Sequence, residues 1–331
     1  MMRALFIYQV LMPFVRRDLE IIKNNFEVKI VEWPKLTKGF FSAMLKILKE
    51  ISYSDVIICW FASYHALVAV FLAKIFKKKS IIITGGYDVV CIPEINYGVF
   101  CSPIKSRVVR WILENANLVI PFSKYAEKQM LKWAKPKKIK TINLVCESDK
   151  FKPNDAVHRE NLVITVCVVI KNNIPRKGLL TFVQAAEELP SVKFAIIGPH
   201  VDSAARELKK IAPDNLELPG FMSEPELIKW YQRAKIYCQL SFEEGEGIGG
   251  ALGEGMAAGC AVIVSEKAEA LKEIVQDKGL YVPYGDKDAT VKAIINALER
   301  FELLGQKARN QILPFNSERR KKELMKAINE L

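Results

Sequence analysis

Short apolar runs alternate with amphipathic stretches along the whole chain, and the series occurs twice. The first set of runs is "RALFIYQV", "EVKIVEW", "DVIICW", "SIIITGG" and "LVIPFS". Between them lie "RRDLEIIKNN", "FFSAMLKILKEI", "HALVAVFLAKIFKK" and "IKSRVVRWILENA", which have helical periodicity. Runs that are apolar nearly throughout suit parallel strands covered on both faces. The alternation therefore predicts a doubly wound α/β domain. A polar, Pro-containing connector follows, from Glu147 to Asn161, and the pattern restarts. "LVITVCVVI", "KFAIIG", "LELPG", "IYCQLS", "AVIVS" and "GLYVPY" alternate with six more helical stretches. At 331 residues the chain is too long for one ordinary core. We expect a Rossmann-like domain over 1–155, a second over 156–312, and a helix over 313–331 with Asn316 or Ser317 as its N-cap.

Charge is unevenly placed. The net charge is +12, and residues 1–155 hold 25 Lys and Arg against 13 Asp and Glu, while the remainder is balanced at 24 of each. A basic half suits an anionic partner such as lipid headgroups, nucleic acid or phosphorylated substrate, or is a solvated surface. The seven cysteines are scattered without CxxC or Cys/His spacing. We therefore expect core thiols in a reducing, cytoplasmic setting, with neither zinc nor a disulfide framework. No apolar run approaches the ~20 residues that span a bilayer, and "MMRALFIYQV" reads as a first strand rather than a leader. A nicotinamide site needs glycines in the first strand–helix turn, and "VLMPFVRRD" has none. There is no Walker A sequence.

The segment from Ser241 to Cys260, "SFEEGEGIGGALGEGMAAGC", packs seven glycines around Glu246 and Glu254. A strand ending at Ser241 and a helix starting near Ile248 would put Glu246 at the helix mouth and Glu254 on the helix. Helix N-terminal amides lack internal partners and carry partial positive charge, and a Gly-rich entry lets a ligand reach them. Such a mouth suits a diphosphate, and carboxylates, which only accept, suit pairs of hydroxyls. The combination points to a nucleotide sugar. The same stretch is also compatible with a glycine-rich helix packed on a sheet with two solvated glutamates.

Glu246-Gly-Ile-Gly through Glu254, followed by "GMAAGCAVIVS", resembles the E-x7-E motif of retaining GT-B glycosyltransferases, the family 4 group in particular. The family form runs E-G-F-G-x-x-x-x-E-A-M-A-x-G-x-P-V. Ile248, Gly255 and Ala261 replace its Phe, Ala and Pro. "IKNNIPRKG", "FAIIGPH", "LPGFMSEPELIKWYQRAKIYCQLS", "LVIPFSKYAEKQM" and "KIKTINLVCESDKFKP" resemble further family segments in order. The likeness covers 150–300 well and the first half loosely. It implies two Rossmann-like domains facing a cleft, with the C-terminal helix crossing back to the first domain.

The resemblance also implies site roles. Glu254 would accept from ribose hydroxyls. Glu246 would contact the donor sugar, helped by Gly247, Ile248, Gly249 and Gly250. Gly198 and Gly220, at strand ends, would join the nucleotide site. Lys171, where the family has Arg, and Lys177 would neutralise the diphosphate leaving group, which physical reasoning also asks for, since that oxygen gains charge as the bond breaks. The donor would be a UDP- or GDP-sugar, with no metal and no other cofactor. Asp286-Lys287-Asp288 reads as a turn and helix N-cap rather than a metal site.

The acceptor half departs from the family. The first turn lacks glycine, and Arg16 and Arg17 there either meet an acceptor phosphate or are plain helix residues. No histidine follows the fourth strand, where "TGGYDVVCIPE" places Tyr87 and Asp88. Asp88 is taken as the acceptor-side polar group, with His65 the other candidate. Lysine clusters beside the amphipathic "GFFSAMLKILKEI" suit an anionic membrane surface, hence a peripheral enzyme with a sugar or lipid-linked acceptor, or a helix packed in its own core. The rival readings are another nucleotide-sugar enzyme of the same fold, such as an epimerase or phosphorylase relative, and a basic nucleic-acid-binding protein. No nucleic-acid motif supports the last.

Overall fold

The computed structural model describes residues 2–34, 39–242 and 250–331. The chain forms two units, Met1–Leu144 with Glu318–Leu331, and Val145–Ser317.

In the first unit five parallel strands, β1 (Arg3–Tyr8), β2 (Glu27–Glu32), β3 (Val56–Trp60), β4 (Lys79–Thr84) and β5 (Leu118–Pro121), lie in the order β2-β1-β3-β4-β5. Phe6 is in register with Ile30 of β2 and Ile58 of β3, and Ile58 with Ile81 of β4. Every residue of β3 is buried, whereas the edge strand β2 buries only Val31, as an edge permits. Helices Pro13–Lys23, Phe40–Ile51, Tyr64–Ile75, Pro103–Asn115 and Lys124–Leu131 connect or flank the strands. Pro13 and Pro103 occupy first-turn positions, where a missing N–H costs nothing. Ser123 caps the last of these helices by accepting from Ala126 N–H at 3.0 Å.

The C-terminal helix Ser317–Asn329 belongs to this unit, where Leu324, Ala327 and Ile328 join Ile22, Phe26 and Ile142 in its core. Arg320 is buried there against Asp18, and its guanidinium also donates to the carbonyls of Ile142 and Asn143 at 2.9 and 2.7 Å.

The first unit ends at Leu144, not at 155. The connector is part of the second unit because its own contacts hold it there. Cys146 N–H donates to Phe315 O at 2.8 Å, its thiol lies 3.2 Å from Gly253 O, and Phe151 is buried in the second core.

In the second unit six parallel strands, β6 (Glu160–Val166), β7 (Lys193–Ile197), β8 (Leu216–Gly220), β9 (Ala234–Gln239), β10 (Ala261–Ser265) and β11 (Leu280–Val282), lie in the order β11-β10-β9-β6-β7-β8. Successive side chains feed opposite faces, so Val163, Phe194, Ile196, Ile236 and Ile263 join one core, while Ile164, Ala195, Tyr237 and Val262 join the other. In each sheet the strand order reverses at one point, between β1 and β3 in the first and between β6 and β9 in the second. Ligands of open α/β sheets bind beyond the carboxyl ends of the strands at such points.

Candidate functional site

Beyond β6 and β9 lies a cavity of about 160 Å³, lined among others by Cys167, Val168, Asn173, Arg176, Lys177, Gln239 and Gly250. The turn that carries its two cations is held tightly. Asn173 Nδ2 donates to Val168 O at 2.7 Å, Arg176 Nε donates to Asn173 Oδ1 at 2.9 Å, and Phe242 N–H donates to Arg176 O at 2.9 Å. Gly178 follows with φ +63°, and a Cβ there would overlap the Leu240 carbonyl. That glycine lets the turn close onto the end of β9. Lys177 is buried, with only 8% exposed, so its ammonium stays within the cavity wall. Two cations in a small recess at the switch point are suited to an anion such as a diphosphate.

Lys171 is not part of this recess. Its Nζ pairs with Glu207 at 3.2 Å and its backbone N–H donates to Asp202 at 3.0 Å, at the exposed surface. Arg176, which the sequence reading did not single out, lines the recess beside Lys177. The signal was the basic residue immediately before Lys177-Gly178.

Gly250 is the N-cap of helix Ala251–Ala257 and lines the cavity, and a Cβ built on it would meet nothing within 4 Å among the described residues. The helix begins later than the expected start near Ile248. Glu254 lies one turn in and does not line the recess. Its Oε2 accepts from the Tyr231 hydroxyl at 3.0 Å. Gly198 and Gly220 also stay outside the cavity lining. Gly198, at φ +144°, has a packing reason, because a Cβ would overlap Cys167 O where the chain leaves β6. Gly220 has φ +87° at the end of β8 and accepts from Gly198 N–H at 3.0 Å. Glu246, Gly247, Ile248 and Gly249 lie outside the described residues. Asp286 caps its helix by accepting from Ala289 N–H at 2.8 Å.

The first unit has a larger cavity, about 530 Å³, beyond the ends of β1 and β3. Gln9, Ala62, Ser63, Tyr64, Tyr87, Asp88 and Lys105 contribute to it. Asp88 is 4% exposed, and its Oδ2 accepts from Ala62 N–H at 2.8 Å. Among the described residues its Oδ1 makes no hydrogen bond of good geometry, although the amides of Asp88 and Gly85 favour the charged form. Burial outweighs these amides and pushes the carboxyl up to about 6. The turn over Asp88 is shaped by Phe61, held at φ +69°, and by Gly85, where a Cβ would overlap the Phe61 ring.

His65 plays no part in this cavity. It is buried, its Nε2 lies 2.7 Å from Trp60 O, its Nδ1 has no partner among the described residues, and burial lowers its pKa to about 4. Arg16 and Arg17 sit in helix Pro13–Lys23 and line neither cavity. Cys91 and Cys101 are joined as a disulfide, against the expectation of seven thiols. The bridge closes the loop that follows Asp88. Loop and bridge pair the residues by tertiary placement, which scattered spacing does not reveal.

Residues 162–300 match the family described as Glycosyl transferases group 1. That match covers most of the second unit, Val145–Ser317. Over 145 residues the chain is 30% identical to the phosphatidyl-myo-inositol mannosyltransferase of Mycolicibacterium smegmatis, a match that spans 42% of this chain and 37% of that protein. Its fold resembles Anabaena Alr3699/HepE, solved in complex with UDP, with a TM-score of 0.82 at 15% identity over 100% of both chains. It also resembles a sucrose-phosphate synthase from Thermosynechococcus elongatus, with a TM-score of 0.80 at 18% identity over 100% of this chain and 99% of that one. The chain has the GT-B fold, built from two doubly wound parallel-sheet domains.

Proposed function

We propose that this chain is a glycosyltransferase that moves a sugar from a nucleoside-diphosphate sugar to an acceptor hydroxyl. The observation that carries the reading is the pair Arg176 and Lys177 in the recess at the β6/β9 switch point of the second unit, where the family match lies. The bond from the anomeric carbon to the phosphate oxygen breaks, and that oxygen gains charge. Fixed cations beside it lower the barrier. In this reading Lys177 and Arg176 do that work on the diphosphate without a metal ion, and Glu254 accepts from the ribose hydroxyls. Glu246 is assigned to the sugar hydroxyls. The acceptor oxygen forms the new bond on the face the leaving group vacates, with retention, and its proton departs with the nucleoside diphosphate. Asp88 orients that hydroxyl. UDP is the first donor nucleotide to try, since HepE was solved with it.

The first domain exposes Phe41, Leu45 and Ile104 at 73%, 62% and 73% beside lysines and arginines, which supports peripheral contact with an anionic membrane. Among the described residues no helix is long and apolar enough to cross one. Co-sedimentation with anionic liposomes at low salt tests that contact, and its absence removes it.

The test of the central reading is isothermal titration with UDP and GDP in the presence of a chelator. Binding of one nucleotide that weakens at least about tenfold in Lys177→Ala and Arg176→Ala supports it. Equal affinity in parent and variants refutes the assigned recess.

A further inference from the structure

Two cavities of the first unit share a wall. One is the Asp88 cavity. The other is an apolar groove of about 670 Å³, lined by Leu67, Val68 and Phe71 of helix Tyr64–Ile75, Met44 of helix Phe40–Ile51, and Trp111 of helix Pro103–Asn115. Val108 lines both. In the turn leading to Val108 the same helix carries a cation to each cavity, Lys105 to the polar one and Arg107 to the groove. Both are exposed, and neither has an ion pair among the described residues.

A polar cavity with a buried carboxylate, a junction with two cations and an apolar groove follow one another in that order. An aqueous sugar phosphate would satisfy the cations and leave the groove wet. A flat membrane surface would cover the groove and leave the Asp88 cavity unused. Only an amphiphile with an anionic group between its two ends fills all three.

We propose that the acceptor is a phosphate-bearing lipid. Its alkyl chain lies in the groove, its phosphate sits between Lys105 and Arg107, and its hydroxylated end reaches the Asp88 cavity. The role given to that hydroxyl rests on the glycosyl-transfer reading, but the binding does not.

The test uses the full chain and dodecyl phosphate below its micelle concentration, titrated beside inorganic phosphate and the uncharged dodecyl maltoside. Dodecyl phosphate binds at least about tenfold tighter than either control, because it alone uses groove and cations together. Val68→Trp, which fills the groove from a half-buried position, weakens it about tenfold. Met44→Trp fills the groove from the facing helix and does the same, which guards against a folding defect in one variant. Lys105→Ala with Arg107→Ala weakens dodecyl phosphate about fivefold or more and leaves dodecyl maltoside unchanged. Inorganic phosphate binding as tightly as dodecyl phosphate overturns the proposal, as does parent-like binding in both tryptophan variants. UDP titrated into the same proteins separates the two readings. A parent that binds dodecyl phosphate as described but no nucleotide loses the transfer reading and keeps the groove.

Discussion

The hydroxyl of Tyr231 lies 3.0 Å from Oε2 of Glu254 and 3.1 Å from the carbonyl of Ala251. The ring is wholly buried, and burial together with the neighbouring carboxylate keeps its pKa well above the usual tyrosine range. The hydroxyl therefore stays a donor and sets the rotamer of Glu254. If Glu254 accepts from ribose, Tyr231→Phe lets the carboxylate turn away and lowers UDP affinity about fivefold, the worth of one modest hydrogen bond. The variant also discriminates less between UDP and its 2′-deoxy form. Titration of both nucleotides checks this, and undiminished discrimination would remove Glu254 from the ribose.

Gly255 stands where the related motif has alanine, and the reason lies beneath it. A Cβ at 255 would come within 2.8 Å of Cβ and Cγ of Tyr237, a buried ring. Alanine would gain about 1 kcal/mol of helix propensity but overpack the core at a cost of about 1–3 kcal/mol. Gly255→Ala is therefore expected to be net destabilising by about 1 kcal/mol in urea unfolding. In a Tyr237→Ala background, which removes Cγ and the ring but keeps Cβ, the penalty for the same change is smaller. A stabilised single variant would show that the Tyr237 ring gives way freely.

Asp18 and Arg320 tie the C-terminal helix to the first domain through two hydrogen bonds of 2.5 and 2.6 Å, with both side chains almost fully buried. Trp60 Nε1 donates to the same carboxylate at 3.0 Å. Every donor of Arg320 that faces the core finds an acceptor, which is the condition for a buried pair to be tolerated. Arg320→Ala leaves the buried Asp18 carboxyl without its partner, and destabilises the first domain by about 3–5 kcal/mol. Arg320→Met with Asp18→Leu restores most of that loss. Thermal unfolding of the parent and the two variants decides whether the pair or only its completeness matters, and an unaffected single variant would refute the tie.

The two α/β domains were legible because parallel strands buried on both faces are apolar nearly throughout, as β3 and the Ile81–Ile83 centre of β4 are. The recess was legible only in part. Lys177-Gly178 could be read because Gly178 must adopt a left-handed backbone, but the choice between Lys171 and Arg176 depends on how Asn173 bends the turn. The Asp18–Arg320 pair and the Cys91–Cys101 bridge join residues by tertiary placement, and no local pattern encodes that. After Asp286 the chain forms two helices, Lys287–Glu299 and Phe301–Ile312, separated at Arg300. The break lets Gly305 pack against Gly259, where a Cβ would overlap the carbonyl.

Asp88 provides a pH signature. Its folded-state pKa, raised to about 6 by burial, exceeds the ~3.9 of an unfolded aspartate. The folded protein therefore holds the proton more tightly than the unfolded chain does, and stability falls as pH rises through that window. Ionising the buried group costs about 3 kcal/mol relative to the unfolded state once pH is above 6. Asp88→Asn keeps an oxygen for the Ala62 amide and removes this cost. The variant is thus expected to be more stable than the parent by about 1–3 kcal/mol at pH 7.5, with the gap closing below pH 4. If Asp88 orients the acceptor as a carboxylate, transfer by the same variant falls while nucleotide binding does not. Denaturant unfolding at the two pH values, beside UDP titration and a transfer assay, separates the effects. A pH-independent difference in stability would mean that Asp88 is not the group that titrates.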